Sequence, residues 1–117
     1  AFLADNVGDP ITLRQAAAAI SPRGKRLSPN TIEAYLTALE DAYVIERCYQ
    51  WDDDSEEPVK RNCRVFFTDP ALCFACFGIV PDFERRAAAN ARWLELRREH
   101  PRVYLSAEDP CEFVCPV

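Results

Sequence analysis

Residues 28–42 of the chain, Ser28-Pro-Asn-Thr-Ile-Glu-Ala-Tyr-Leu-Thr-Ala-Leu-Glu-Asp-Ala42, have the pattern of one short capped helix. Ser28 is a preferred N-cap residue, and Pro29 takes the first helical position, where its missing amide hydrogen is harmless. Apolar side chains then recur at the spacing of a buried helical face. The stripe that we predict to point into the core consists of Ile32, Tyr35, Leu36, Leu39 and Tyr43.

A second, alanine-rich helix is predicted over residues 12–20, immediately before a short basic turn. Pro22 disfavours the helical conformation at the residue before it and therefore ends this helix. Residues 2–8 have the pattern of the end of a still earlier helix, which Gly8 stops. The predicted buried face of the alanine-rich helix carries Leu13, Ala16, Ala17 and Ile20, at the i, i+3, i+4, i+7 spacing.

Two aromatic, β-branched segments follow the capped helix. Residues 44–51 predict a strand, residues 52–58 a polar hairpin loop and residues 64–68 the returning strand, with a short apolar helix over about 69–77. Helix, tight turn, helix and two-stranded hairpin is the layout of a winged helix-turn-helix domain with a β-hairpin wing. The predicted class is therefore α+β, with this domain over residues 1–80.

The remainder of the chain predicts a short helix and two strands. The helix covers residues 83–99 and the strands lie at 102–105 and 111–115. We interpret residues 81–117 as the truncated start of a second domain. The inward face of the helix is predicted to carry Phe83, Ala87, Ala91 and Leu94. Its outward face is predicted to carry Arg85, Arg86, Arg92, Arg97 and Arg98.

The composition is that of an ordinary globular protein. The 117 residues are 49% hydrophobic and carry a net charge of −5. No apolar run approaches the ~18–20 residues that a membrane span needs, and the first residues lack a secretion signal, so we expect a cytoplasmic protein without a membrane partner. The sequence has no initiator methionine and no other methionine, which suggests a piece of a longer protein or a processed protein.

Six cysteines leave three interpretations open. They could form disulfides, or Cys73, Cys76, Cys111 and Cys115 could supply four thiolates to zinc. We favour free cysteines that act as small buried side chains, because their flanking residues are apolar and no glycine-rich turn bends the pairs. No metal or other cofactor is predicted.

The sequence also lacks the patterns of common catalytic sites. Its three glycines do not form a phosphate-binding loop, and the single histidine, His100, lies where a helix end is predicted. The carboxylates of residues 52–57 could hold calcium, but a loop of like charges is usually solvated. We therefore predict that this chain is not itself an enzyme.

Two kinds of partner remain open, a protein and duplex DNA. From Ser28 to Glu57 the chain carries nine acidic residues and one arginine, a charge that opposes binding to phosphates. The basic residues that could contact phosphates lie in the turn before the capped helix and in the returning strand, which includes Arg64. The candidate nucleic-acid-binding residues are Arg23, Lys25, Arg26, Asn30, Thr31, Lys60 and Arg61.

Three stretches resemble a known family. Residues 2–10, residues 28–42 and the segment Val65-Phe-Phe-Thr-Asp69 are similar to the C-terminal region of uncharacterised prokaryotic AAA+ ATPases. The resemblance covers about residues 2–78. It implies an N-terminal P-loop ATPase, then a winged helix, then a domain of unknown function that is similar to restriction-endonuclease-like nucleases.

The tail resembles the start of that nuclease-like part. Residues 93–98 and 102–105 are similar to its first helix and strand, whereas its Glu-x-Asp-Phe element is replaced here by Pro110-Cys-Glu-Phe113. The departure leaves Glu112 as a lone acid and speaks against metal-dependent cleavage. The resemblance implies a non-catalytic connector whose partner is its own ATPase domain or another protein, with homo-oligomers as a further possibility.

Overall fold

The computed structural model describes residues 2–20, 27–69, 71, 81–109 and 112–116, without the side chains of residues 60–62. The short apolar helix predicted over about 69–77 lies mostly outside these residues. Helices and strands together form an α+β fold, as predicted. The elements are α1 (Phe2–Asp5), β1 (Pro10–Ile11), α2 (Leu13–Ile20), α3 (Pro29–Asp41), β2 (Ile45–Asp52), β3 (Glu57–Phe67), α4 (Phe83–Glu99), β4 (Tyr104–Leu105) and β5 (Phe113–Val114).

The described strands form one sheet in the order β1-β3-β2-β4-β5. β2 and β3 form the predicted antiparallel hairpin, and β1 pairs antiparallel with the other edge of β3. β4 runs parallel to β2, with Gln50 opposite Leu105, and β5 returns antiparallel to β4. β1 was not predicted, because the sequence Asp9-Pro10 is typical of a turn and a two-residue strand has no periodicity.

The hairpin is longer than predicted and irregular. Tyr49 lies opposite Cys63, whereas the next residue, Gln50, lies opposite Val59, so residues 60–62 are inserted in β3. Such a bulge bends the strand and increases its local twist. Two of the candidate nucleic-acid-binding residues, Lys60 and Arg61, are part of this insertion.

α3 has the predicted cap but only part of the predicted core face. Ser28 Oγ accepts a hydrogen bond from the backbone N–H of Thr31 at 3.2 Å. Ile32 and Leu36 are buried and Leu39 packs at the edge of the core. The prediction was wrong for Tyr35 and Tyr43, which are exposed, because Tyr35 lies on the flank of the helix and Tyr43 comes after the helix has ended.

α2 buries the side chains of its two central alanines, Ala16 and Ala17, as predicted. Leu13 packs against the core, but Ile20, in the last position of the helix, is exposed, contrary to the prediction. The small side chains of α2 allow its backbone to lie close to α3, with which it makes many contacts.

α4 has the predicted bounds and a different orientation. It buries Arg86, Asn90 and Trp93, whereas Phe83 and Ala91 of the predicted inward face are exposed. The Trp93 ring stacks on Phe66 of β3 with the ring centroids 5.3 Å apart. Hydrogen bonds of the two polar side chains to other parts of the chain, and this ring contact, override the weak apolar periodicity of the helix.

The predicted boundary near residue 80 falls between parts of the chain that share the sheet. β4 and β5 extend the sheet beyond β2, and α4 packs on β3. Phe113 of β5 contacts Phe66, at 5.8 Å between ring centroids. The assignment of residues 81–117 to a nuclease-like domain stays a prediction.

Candidate interaction surface

The exposed face of α3 is uncharged over most of its length. Asn30, Ala34 and Ala38 recur along it at helical spacing, and all three are exposed. Thr31 is half-buried, and its hydroxyl lies 3.0 Å from Ser28 Oγ within the cap. Asn30 is therefore exposed to a partner as predicted, whereas the Thr31 hydroxyl is already engaged in the helix start.

The predicted basic residues mostly lie outside the described part of the chain. Arg23, Lys25 and Arg26 fall in the gap between residues 20 and 27. For Lys60 and Arg61 the backbone is described and the side chain is not. The nucleic-acid-binding set accordingly stays a prediction.

Arg64, the further basic residue of the returning strand, has a structural role. Its Nη1 donates to the carbonyl of Gly8 at 3.1 Å, and its side chain is half-buried. Its Nε is buried, with no hydrogen-bond partner among the described residues. Arg64 thus holds the turn before β1 against β3.

Arg47 pairs with two of the three acidic side chains of α3. Its side chain is only 8% exposed and lies 2.6 Å from carboxylate oxygens of both Glu33 and Glu40. Burial opposes the charge of Arg47, but the hydrogen bonds to the two carboxylates outweigh it and raise its pKa. The hydrogen bond from Arg47 also lowers the pKa of Glu33. A third acid of this segment, Glu46, pairs with Arg97 of α4 at 3.0 Å.

The acidic charge that remains is concentrated at the end of the hairpin. Asp52 accepts hydrogen bonds from the N–H of Asp54 and the hydroxyl of Ser55, so local bonds hold the turn. The carboxylates of the turn are exposed: Asp53, Asp54, Glu56 and Glu57. This tip repels phosphates, which favours partners other than nucleic acid.

Two exposed tyrosines lie on α3 and just after its C-terminal end. Tyr43 is 83% exposed and Tyr35 is 52% exposed. The N–H of Val44 donates to the carbonyl of Leu39, and Tyr43 has a φ of 60°, as in a Schellman motif. Glycine is the usual residue at that position, so a tyrosine there combines an unfavourable backbone conformation with an exposed aromatic ring.

A second polar cluster joins the N-terminal turn to α4. Asp9 lies 2.8 Å from Arg86 and 3.2 Å from Arg85. Burial raises the pKa of Asp9, but the hydrogen bonds from Arg86 and Arg85 outweigh it and lower the pKa overall. Arg86 also donates to the carbonyls of Val7 and Pro81. Sequence reasoning placed Arg86 in solvent, and no local signal marks it as a buried residue.

The described cysteines are free. Cys48 and Cys63 are buried on neighbouring strands, and burial raises their pKa to about 12 and about 11. Both therefore stay protonated thiols at neutral pH, which fits the role of small buried side chains. Cys115 is half-exposed, and the other three predicted zinc or disulfide residues lie outside the described part of the chain.

A shallow cavity of about 270 Å³ lies beside the bulge. Gln50, Arg64 and Ser106 supply its polar side chains, but Ser106 Oγ already accepts hydrogen bonds from the N–H groups of residues 108 and 109.

Within residues 2–20, 27–69, 81–109 and 112–116, no three His, Cys, Asp or Glu side chains are grouped to hold a metal. Glu112 is exposed immediately before β5.

Comparisons with known proteins place this α+β domain in a family. The family model described as "Domain of unknown function (DUF8612)" matches residues 1–82, and the chain belongs to that family. An uncharacterized protein of Haemophilus influenzae is 31% identical over 71 residues, which are 61% of this chain and 18% of that protein. The chain thus spans less than a fifth of that relative. No solved structure matches the chain, and none of its described helices is long and apolar enough to cross a membrane.

Proposed function

We propose that this chain is a non-catalytic winged-helix module that docks onto protein, through the exposed face of α3, within a longer protein. The order α1–β1–α2–α3–β2–β3 and the antiparallel arrangement β1-β3-β2 support a winged helix, with β2 and β3 as the wing. In this arrangement α3 is the helix that faces a partner, and the hairpin turn is the second contact.

The charge of this surface is the observation that carries the proposal. α3 contains no lysine or arginine, and the only arginine of the following strand is bound by two carboxylates of α3. Each phosphate contact with a duplex needs a cation, whereas tyrosines are enriched in protein interfaces. Tyr35, which is exposed on the flank of α3, and Tyr43, which is exposed just after its end, therefore favour a protein partner.

The resemblance to AAA+ ATPases suggests what the partner is. In such a parent protein the module would lie beside the ATPase domain and transmit its nucleotide-driven motion. The Haemophilus relative supports a longer parent, because the matched segment is only 18% of its length. An ATPase activity would belong to the parent protein, in the cytoplasm, and not to this module.

Duplex DNA is the second candidate partner. Asn30 is exposed near the start of α3, where a helix that enters the major groove would contact base edges. Arg14 lies close to the same end, because it shares a surface depression with Ser28 and Pro29. Binding there would rely on Arg23, Lys25 and Arg26 as phosphate contacts.

Two measurements separate the candidates. In fluorescence anisotropy with a labelled duplex at low salt, docking to protein predicts no binding by this chain. DNA binding instead predicts a salt-sensitive affinity that is lost when Lys25 and Arg26 become glutamate. Crosslinking mass spectrometry of the intact Haemophilus relative should show crosslinks between its matched segment and the rest of that chain. Duplex binding without such crosslinks contradicts the proposal.

A further inference from the structure

We infer that Tyr43 and Asp41 form a docking site for a protein segment that carries an arginine. The inference rests on the proposed function and specifies the chemistry of the partner. It starts from Tyr43, whose conformation is unfavourable and whose ring is almost completely exposed.

Hydrogen bonds fix the backbone at Tyr43. The hydroxyl of Thr68, just after β3, donates to the carbonyl of Tyr43 and lies 3.1 Å from that of Val44. The N–H of Tyr43 donates to the carbonyl of Glu40 at 3.0 Å. Backbone strain that the surrounding bonds maintain at an exposed aromatic residue is a feature of functional sites.

Apolar side chains adjoin Tyr43 along the chain. Val44, the next residue, is exposed, and Leu39 in the last turn of α3 is half-buried. Tyr35 is also exposed, but it lies earlier in α3, on the flank of the helix. Tyr43 and Val44 therefore present apolar surface directly after the end of α3.

The negative charge beside Tyr43 determines which partner side chain can bind there. Asp41, the last residue of α3, is exposed, and the carbonyls of a helix C-terminus add partial negative charge. Arg47, the only basic residue of the adjoining strand β2, is already bound by Glu33 and Glu40. A guanidinium can pair with the carboxylate of Asp41 and lie on the face of the Tyr43 ring. The same charge repels a phosphate.

The test uses two synthetic helical peptides, titrated into the isotope-labelled chain and followed by NMR. The first carries an arginine and a neighbouring leucine on one face, and the second carries glutamine in place of the arginine. We expect amide shifts confined to residues 31–44 and 68 with the first peptide, and binding at least about fivefold weaker with the second.

Three variants locate the site. Tyr43→Ala and Asp41→Asn should each weaken binding of the arginine peptide by about fivefold. Asp53→Asn removes the same charge from the hairpin turn and should leave the affinity unchanged. Equal binding by Tyr43→Ala, shifts centred on residues 52–57, or no shift at about 1 mM peptide each overturn the inference.

The two proposals fail in different ways. If neither peptide binds but the intact relative shows crosslinks to its matched segment, the docking site is assigned wrongly and the docking function stands. If the chain binds a duplex with salt-sensitive affinity and the relative shows no such crosslinks, the proposed function is wrong. The tyrosine surface is then judged by the peptide titration alone.

Discussion

The carboxamide of Asn90 pairs with both backbone groups of Phe67. The N–H of Phe67 donates to Asn90 Oδ1 at 2.8 Å, and Asn90 Nδ2 donates to the carbonyl of Phe67 at 3.0 Å. Phe67 is the last residue of β3, and two-residue β1 pairs only with Arg64 and Cys63 further back along that strand. One side chain of α4 therefore pairs with the end of β3, which β1 does not reach.

Replacing this carboxamide should destabilise the whole fold. Asn90→Ala removes the carboxamide that pairs with a buried N–H and a buried C=O of Phe67, at a cost of about 2–4 kcal/mol in the free energy of unfolding. The measurement is urea unfolding followed by circular dichroism. Asn30→Ala is the matched control, because Asn30 is exposed, and it should change stability by less than about 0.5 kcal/mol. Equal effects of the two variants contradict the pairing.

The sequence predicts those features of the fold that interactions between neighbouring residues determine. The start of α3 follows from Ser28 and Pro29, and the bounds of α4 were predicted correctly. The buried face of α4 was predicted wrongly, because contacts with distant parts of the chain orient the helix. These contacts are the pairing of Asn90 with Phe67 and the hydrogen bond from Arg86 to the carbonyl of Val7. Hydrogen bonds between residues that are distant in sequence leave no periodic pattern.

The candidate surface was only partly predictable for a related reason. Its acidic character and Asn30 are evident in the composition, but Tyr35 and Tyr43 were expected in the core. Tyrosine is apolar enough to fit a helical stripe, and only the end of α3 at Asp41 removes Tyr43 from it. The pairing of Arg47 with Glu33 and Glu40 likewise depends on how β2 lies against α3.

Any side chain at position 8, in place of Gly8, should lower the stability of the fold. Its φ is +80°, and an added Cβ would lie 3.3 Å from the Cβ of Ala89 on α4. Gly8→Ala should lower the free energy of unfolding by about 1–2 kcal/mol, mainly because L-residues disfavour this conformation. Thermal unfolding measures the change.

A double-mutant cycle with Ala89→Gly separates the two causes. If the close approach contributes, Gly8→Ala costs less in the Ala89→Gly background than in the native one. An unchanged cost assigns the whole effect to the backbone conformation. A stabilising Gly8→Ala contradicts the close packing of this turn against α4.

The ion pair of Glu33 with Arg47 should make stability depend on pH. The hydrogen bond from Arg47 lowers the pKa of Glu33 below its value of about 4.3 in unfolded chains. A lowered pKa gives stability that is present above about pH 4.3 and is lost as the pH falls through the folded value. Because Glu33 is half-exposed, the contribution stays below about 1 kcal/mol.

Glu33→Gln isolates this contribution. At pH 7 the variant should be less stable than the native chain, and the difference should shrink as urea unfolding is repeated down to about pH 3. Asp53→Asn in the hairpin turn serves as the control for removal of one exposed carboxylate. A difference between Glu33→Gln and the native chain that is constant from pH 7 to 3 contradicts the lowered pKa.

Tyr43 offers the sharpest prediction, because its contributions to stability and to binding should have opposite signs. Glycine adopts a φ of 60° without the steric penalty that tyrosine has there, so Tyr43→Gly should raise the free energy of unfolding by up to about 1 kcal/mol. Tyr43→Ala keeps the penalty, and since the ring is exposed, it should change stability by less than about 0.5 kcal/mol. Both variants should bind the arginine peptide about fivefold more weakly. If Tyr43→Gly is more stable than the native chain and binds the peptide less well, the tyrosine is retained for binding its partner. If Tyr43→Gly is less stable and still binds the peptide, that explanation is wrong.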